Sequence, residues 1–288
     1  MNLLLSFPPT SGAVSVQQNE GRHALIKKGR RWKNHLHRIL ARYFSEVEGK
    51  NVVVIDLDPL GGISSLLGLK AGEDDLSISE VIQIAGDQTN FQDAFRQAIF
   101  DTGLSNSKDW LNNGGKLFLL PSKFNLDTVL ANNHFSLLGM VIRETPLPDN
   151  VLILIDTGTS SESIRFGIYA ADVVFVPLIM SRLDIPPLFE MLKFINLTQR
   201  QRENNNPAIG GFIINCLDDT QREEEYVKQY VLTLEEYLTE SKLSCVSDDL
   251  FFFLKTLPEV RWSTYFSGSL RKEFKLFSKK LADNVHQA

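Results

Sequence analysis

The 288-residue chain lacks most features that mark secreted or membrane-spanning proteins. Its two cysteines, Cys216 and Cys245, are far apart, which favours a reducing cytoplasm over a disulfide-stabilised secreted domain. No apolar run approaches the length of a membrane span, and the apolar start of the chain lacks the basic residues of a secretory signal. The net charge of −5 gives no whole-protein argument for nucleic-acid binding. The composition is that of an ordinary globular chain.

Short apolar runs alternate with amphipathic segments through most of the chain. This alternation predicts an α/β fold: a single doubly wound, mainly parallel sheet covered by helices on both faces. The predicted strands are Val52–Asp56, Lys116–Leu120, Val151–Asp156, Asp172–Pro177, Gly210–Asn215 and roughly Phe251–Leu257. Residues 1–31 contain no convincing strand. Residues 1–23 are therefore predicted to be an atypical N-terminal segment ahead of a domain spanning 24–288.

Acidic residues follow two of the predicted strands. Asn51 to Gly62 reads NVVVIDLDPLGG and delivers Asp56 and Asp58 to the carboxyl end of a buried strand, where open α/β sheets bind ligands. The second strand ends in Asp156, and Thr-Gly-Thr follows. Such a pattern suits a nucleotide hydrolase that holds magnesium and its waters. The structural alternative is that these aspartates only cap turns, for which Asp-Pro and Gly-Gly are suitable.

These segments resemble the ParA/MinD family of deviant P-loop ATPases, which partition plasmids and chromosomes or position cell-division proteins and other cargo. The resemblance runs from about Leu36 to about Asp283, in the family's order and spacing. Five stretches carry it: ARYFSEVEGKNVVVIDLDPLGGISSLLGL, VLILIDTGTSSE, ADVVFVPLIMSRLDI, IGGFIINCLDD and LKTLPEV. Two departures affect residues near the acids, because the family often has Gln where this chain has Leu60 and Pro where it has Gly158.

The resemblance implies ATP and Mg²⁺ as cofactors. In that interpretation Asp58 positions the attacking water, Asp56 lies near the magnesium shell, and Asp156 holds Mg²⁺ through water. The remaining matches are The alternative for Asn215 is a strand-end turn residue.

The phosphate loop itself does not match. The family pattern K-G-G-x-G-K-T-T needs glycines so that backbone N–H groups can approach the phosphates, and it needs a hydroxyl for magnesium. Residues 28–35 read KGRRWKNH, so Arg30 and Trp32 replace glycines, and Asn34 and His35 replace threonines. Trp32 would fill the volume of a phosphate. As printed, the chain is not expected to bind ATP in the family's way, and its status as an enzyme is open.

Two origins of this segment remain. Either the chain is a pseudo-ATPase that keeps the fold, or the reading frame slips across these codons. Shifting the codons of residues 28–36 by one nucleotide turns the Trp32 codon into Gly without ambiguity. The next triplet must be Lys or Arg, and the two after it Thr or Ile. The shifted frame is therefore compatible with K-G-G-V-G-K-T-T, and a compensating shift is expected between His37 and Ile39.

The C-terminal segment LRKEFKLFSKKL predicts an amphipathic helix with Leu270, Phe274, Phe277 and Leu281 on its buried stripe. The resemblance implies that a basic surface here binds DNA non-specifically, and the alternative is a solvated polar face. Candidate DNA-binding residues are Arg261, Arg271, Lys272, Lys275, Lys279 and Lys280.

The resemblance further implies an ATP-dependent homodimer, associated with the nucleoid in the cytoplasm and regulated by a hydrolysis-stimulating adaptor protein. Besides the pseudo-ATPase, the alternative is a MinD-like positioning ATPase at the membrane. The last residues, ADNVHQA, have little apolar weight, so a membrane partner is not expected.

Overall fold

A computed structural model describes the backbone of residues 2–5, 36–69, 72, 74–87, 90–104, 115–179, 185–202, 206–215, 221–254 and 269–287. Side chains are described in the same ranges, apart from those of residues 2–5, 179, 215, 221–224, 253–254 and 269–275.

Within these ranges, eight strands form one sheet in the order β3-β4-β2-β5-β1-β6-β7-β8. Every neighbouring pair is parallel except the short β3, which runs antiparallel to β4. The predicted α/β fold with a mainly parallel sheet is confirmed. The strands are β1 Asn2–Leu5, β2 Asn51–Leu57, β3 Phe100–Asp101, β4 Leu117–Leu120, β5 Val151–Thr157, β6 Val173–Ile179, β7 Ala208–Asn215 and β8 Phe251–Leu254.

Strand β1 corrects the sequence analysis. Asn2–Leu5 lies at the centre of the sheet, where Leu4 is in register with Ile155 of β5 on one side and Val174 of β6 on the other. The prediction that no strand precedes residue 31 is therefore wrong. Four residues are too few to show a periodicity, and their strand conformation comes from backbone pairing with two neighbours. A domain boundary near residue 23 stays a prediction.

Helices connect and cover the strands. The first, α1, occupies residues 36–42 and continues into a π-helical turn, Tyr43–Val47. The predicted amphipathic helices between Leu66 and Asn113 are α3 and α4. The remaining helices are α2 Gly62–Leu66, α3 Ile78–Gly86, α4 Phe91–Gln97, α5 Leu126–Ala131, α6 Leu137–Glu144, α7 Ser161–Ala170, α8 Ile185–Gln201, α9 Gln221–Ser241 and α10 Ser269–Gln287.

The sheet separates two hydrophobic cores, as a doubly wound fold requires. Along β2, Val53 and Ile55 face the core beneath α3 to α9, whereas Val52 and Val54 face the core formed with α1 and α10. Both faces of the strand are apolar because successive side chains point to opposite cores. Strand β5 alternates in the same way. By this alternation Asp56 and Asp156 belong to the α1 face.

No helix in the described ranges is both long enough and apolar enough to cross a bilayer.

Candidate nucleotide and magnesium site

The last polar residues of β2 and β5 are direct neighbours. Parallel pairing places Asp56 in register with Asp156, and both side chains are fully buried. Burial, followed by the nearby charge of Asp156, raises the pKa of Asp56 to about 7. Two carboxylates side by side repel each other when both are ionised, so this edge of the sheet favours a cation or bound protons.

Asp56 organises the loop that follows its own strand. Its Oδ1 accepts a hydrogen bond from the Asp58 backbone N–H (3.0 Å). Its Oδ2 accepts from both the backbone N–H (3.0 Å) and the hydroxyl (2.6 Å) of Ser64, at the start of α2. These three bonds favour the ionised carboxylate and offset part of the raised pKa. Asp56 therefore fixes the path of the chain from β2 into α2.

Asp58 stands at the mouth of this loop and is half-buried. Its Oδ1 accepts from the Leu60 backbone N–H (3.0 Å), and its carbonyl oxygen accepts from Gly61 N–H (2.8 Å) and the Ser122 hydroxyl (2.6 Å). The Ser122 bond ties the loop after β4 to the loop after β2. Leu60, which replaces the family's glutamine, has 62% of its surface exposed. The Asp58 carboxylate is therefore held at the carboxyl edge with access to solvent.

The loop after β5 packs on the loop after β2. Gly158 N–H donates to the Ser163 hydroxyl oxygen (2.8 Å) and lies 3.3 Å from the Leu57 carbonyl oxygen, to which the Ser163 hydroxyl also donates (2.8 Å). A Cβ at residue 158 would lie 3.3 Å from that carbonyl oxygen and 3.4 Å from the Asp58 Cα. The departure from proline at residue 158 thus has a local reason, which is close backbone packing and the use of its N–H.

A histidine on α1 completes the buried cluster. The His37 ring is fully buried and reaches β5 twice: Nδ1 lies 3.3 Å from Asp156 Oδ1, and Nε2 lies 3.3 Å from the Ile155 carbonyl oxygen. Sequence reasoning missed this residue, because it considered His37 only as part of a metal spacing with His35. The available signal was its position in the first turns of the helix that follows the expected phosphate loop.

The acidic pair suits magnesium rather than a closed metal cage. Among the described residues, no three His, Cys, Asp or Glu side chains are grouped to hold a metal ion. Magnesium in nucleotide sites is held by one or two carboxylates together with waters and phosphates. Asp156 and Asp58 offer such carboxylates, whereas Asp56 is engaged by the loop, which suits a supporting role behind the ion. When bound, Mg²⁺ would supply charge neutralisation for phosphate oxygens.

Several predicted site residues lie outside the described residues, so their assignments stay predictions. These are Lys28, Gly29, Trp32, Lys33, Pro258 and Arg261.

Asn215 ends β7, whose neighbours are β6 and β8, so its backbone is at the same sheet edge as the acids, while its side chain is not described.

On α10 the buried positions Phe277 and Leu281 are confirmed, and Lys279 and Lys280 are exposed. The backbones of Arg271, Lys272 and Lys275 lie in the same helix.

Comparisons with known proteins identify the fold. No protein-family profile and no curated protein matches the chain. Solved structures do match over nearly the whole length. The apo form of McdA from Cyanothece has 16% identity, with 99% of this chain and 98% of that chain covered and a TM-score of 0.62. Cobyrinic acid a,c-diamide synthase from Mycobacterium smegmatis, with bound ADP and magnesium, has 18% identity, coverage of 99% and 96%, and a TM-score of 0.62.

A third match is pNOB8 ParA bound to nonspecific DNA, with 15% identity, coverage of 99% and 98%, and a TM-score of 0.56. At these identities the likeness shows the fold and not the activity. The chain has the fold of the ParA-type P-loop ATPases and their relatives.

Proposed function

We propose that the protein is a ParA-like positioning or partition ATPase. The observation that carries this proposal is the meeting of Asp56, Asp58 and Asp156 at the carboxyl edge of adjacent strands in this fold. In the proposed mechanism Asp58 orients the attacking water, because its half-buried carboxylate is anchored by loop bonds and faces solvent. Asp156 holds Mg²⁺ through water, and Asp56 keeps the loop between them in place.

The nucleotide part of the proposal rests on the phosphate loop, where Lys33 neutralises the β/γ oxygens, Gly29 admits the backbone and Lys28 reaches the partner's nucleotide. Asn215 and Pro258 hold the adenine. Neighbouring structures contain ATP or ADP with magnesium, which supports these cofactors for this fold.

Turnover is tested on a loop-restored chain in which residues 28–35 read KGGVGKTT. We expect this chain to hydrolyse ATP only with Mg²⁺, and Asp58→Asn to lower kcat by roughly 100-fold or more. Asp75→Asn, which changes an exposed carboxylate between α2 and α3, is the matched control and should leave kcat unchanged. Equal rates for Asp58→Asn and its parent would remove Asp58 from the mechanism.

DNA is the proposed surface partner of the ATP-bound homodimer, and hydrolysis stimulated by an adaptor protein would release it. The exposed Lys279 and Lys280 and the DNA-bound ParA neighbour support this. Binding to arbitrary duplex DNA should weaken steeply with salt. Binding to anionic vesicles instead of DNA would favour the MinD-like alternative.

A second candidate function follows from the printed loop. Arg30 and Trp32 stand where the family has glycines, which favours a non-catalytic module that keeps the DNA or partner surface. DNA binding by the printed chain without any ATP requirement would support this candidate.

A further inference from the structure

The contact between His37 and strand β5 is chemically specific. Because the Ile155 carbonyl oxygen can only accept, the His37 Nε2 at 3.3 Å must carry the donated proton. The other nitrogen, Nδ1, then faces Asp156 Oδ1 at 3.3 Å. Two lone pairs facing each other would repel. A proton therefore lies between Nδ1 and Oδ1, whichever of the two atoms carries it.

This arrangement meets an electrostatic need of the site. Asp56 and Asp156 are adjacent, fully buried carboxylates, and buried acidic groups require donors or counter-charges. Asp56 obtains its donors from Asp58 and Ser64. Asp156 is approached by the imidazole from the α1 face, where a nucleotide-bound cation would later share the same carboxylate.

We propose that His37 is a positioning residue that substitutes for a cation at Asp156 while the site is empty. Its imidazole holds the Asp156 side chain in place and ties α1, the helix after the phosphate loop, to β5. The acidic edge is therefore folded before Mg²⁺ arrives. This role goes beyond the proposed ATPase function, because it needs neither nucleotide nor turnover.

One consequence separates this role from simple packing. If His37 and Mg²⁺ serve the same carboxylate, the cation should compensate for loss of the imidazole donor. A residue that only fills space would leave a defect that Mg²⁺ does not repair. His37→Phe keeps a ring of similar size and removes the donor, whereas His37→Gln keeps an N–H donor on a flexible side chain.

The experiment measures melting temperatures of the printed chain, expressed from a synthetic gene that specifies histidine at residue 37, in nucleotide-free buffer with EDTA or with millimolar MgCl₂. We expect His37→Phe to melt roughly 6–10 °C below the parent in EDTA, because a buried charge loses its partner. MgCl₂ should restore at least half of that loss, and His37→Gln should fall between the two. The parent should respond little to MgCl₂.

Two further variants complete the test. Ile39→Val removes a buried methyl from the same helix, and its smaller loss should not respond to MgCl₂. In an Asp156→Asn background, His37→Phe should be nearly neutral, because the carboxylate that needs the donor is gone. If His37→Phe does not fold, the same comparisons are made with His37→Gln.

The proposal is overturned if the His37 variant melts with the parent in EDTA, if MgCl₂ does not relieve its loss, or if the loss persists unchanged with Asp156→Asn. Because ATP is absent throughout, these outcomes are independent of whether the protein is an ATPase.

Discussion

The Ser64 hydroxyl donates to Asp56 Oδ2 over 2.6 Å, and this buried bond joins the end of β2 to the start of α2. Hydrogen bonds to charged groups are among the stronger ones in proteins, and a buried carboxylate that loses a donor is left poorly solvated. The loop carrying Asp58 thus depends on a side chain eight residues away from Asp56.

Ser64→Ala should therefore lower the free energy of unfolding by about 1.5–3 kcal/mol, as measured by urea denaturation. It should also raise the pKa of Asp56 further, because the hydroxyl bond favours the ionised form. Ser65→Ala is the matched control, since Ser65 is exposed on the same short helix. Equal stability of the two variants would contradict the role given to Ser64.

Stability should fall as pH rises from about 4 to about 8. The pKa of Asp56 is about 7 in the folded chain against an ordinary value of 3.8, so between these values the folded state binds more protons than the unfolded state. The free energy of unfolding then decreases with pH, by roughly 4 kcal/mol at most from this group. Urea denaturation at pH 5 and pH 8 measures it. Asp56→Asn should flatten this slope, and an unchanged slope would be evidence against the raised pKa.

Gly158→Pro should destabilise the protein more than Gly158→Ala, even though proline is common at this position in the family. Proline removes the N–H that donates to Ser163, whereas alanine keeps it and adds one Cβ in contact with the Leu57 carbonyl oxygen. We expect a difference of about 1–3 kcal/mol between the variants in the free energy of unfolding. If proline were equally tolerated, the N–H bond would not matter to the loop.

Replacing Lys279 and Lys280 by glutamate should weaken binding to arbitrary duplex DNA. If each lysine neutralises one phosphate, the slope of log K against log salt should shrink by about 0.9 per lysine. Lys228→Glu, on the exposed face of α9, serves as the control for net charge. An equal loss with Lys228→Glu would show that charge alone, and not the α10 surface, governs binding.

The sequence predicts the parallel core well because the strands β2 and β5 combine β-branched runs with terminal aspartates, a pattern typical of buried parallel strands that end at a ligand site. Strand β1 escapes prediction, since a four-residue run acquires its meaning only from neighbours far away in the chain. Ser64 and His37 escape prediction as site residues for a similar reason. Their partners, Asp56 and Asp156, come close only through the strand pairing and the packing of α1, which local patterns do not encode.

The most direct test of the account is Mg²⁺-dependent ATP binding, measured by titration calorimetry on the printed chain and on the loop-restored chain. Both should fold, because the described sheet and cores do not depend on residues 28–35. The account predicts no binding by the printed chain, where Trp32 occupies the phosphate volume, and micromolar binding by the restored chain that Asp156→Asn abolishes. A folded restored chain that fails to bind ATP would contradict the assignment of the acidic edge as a nucleotide site.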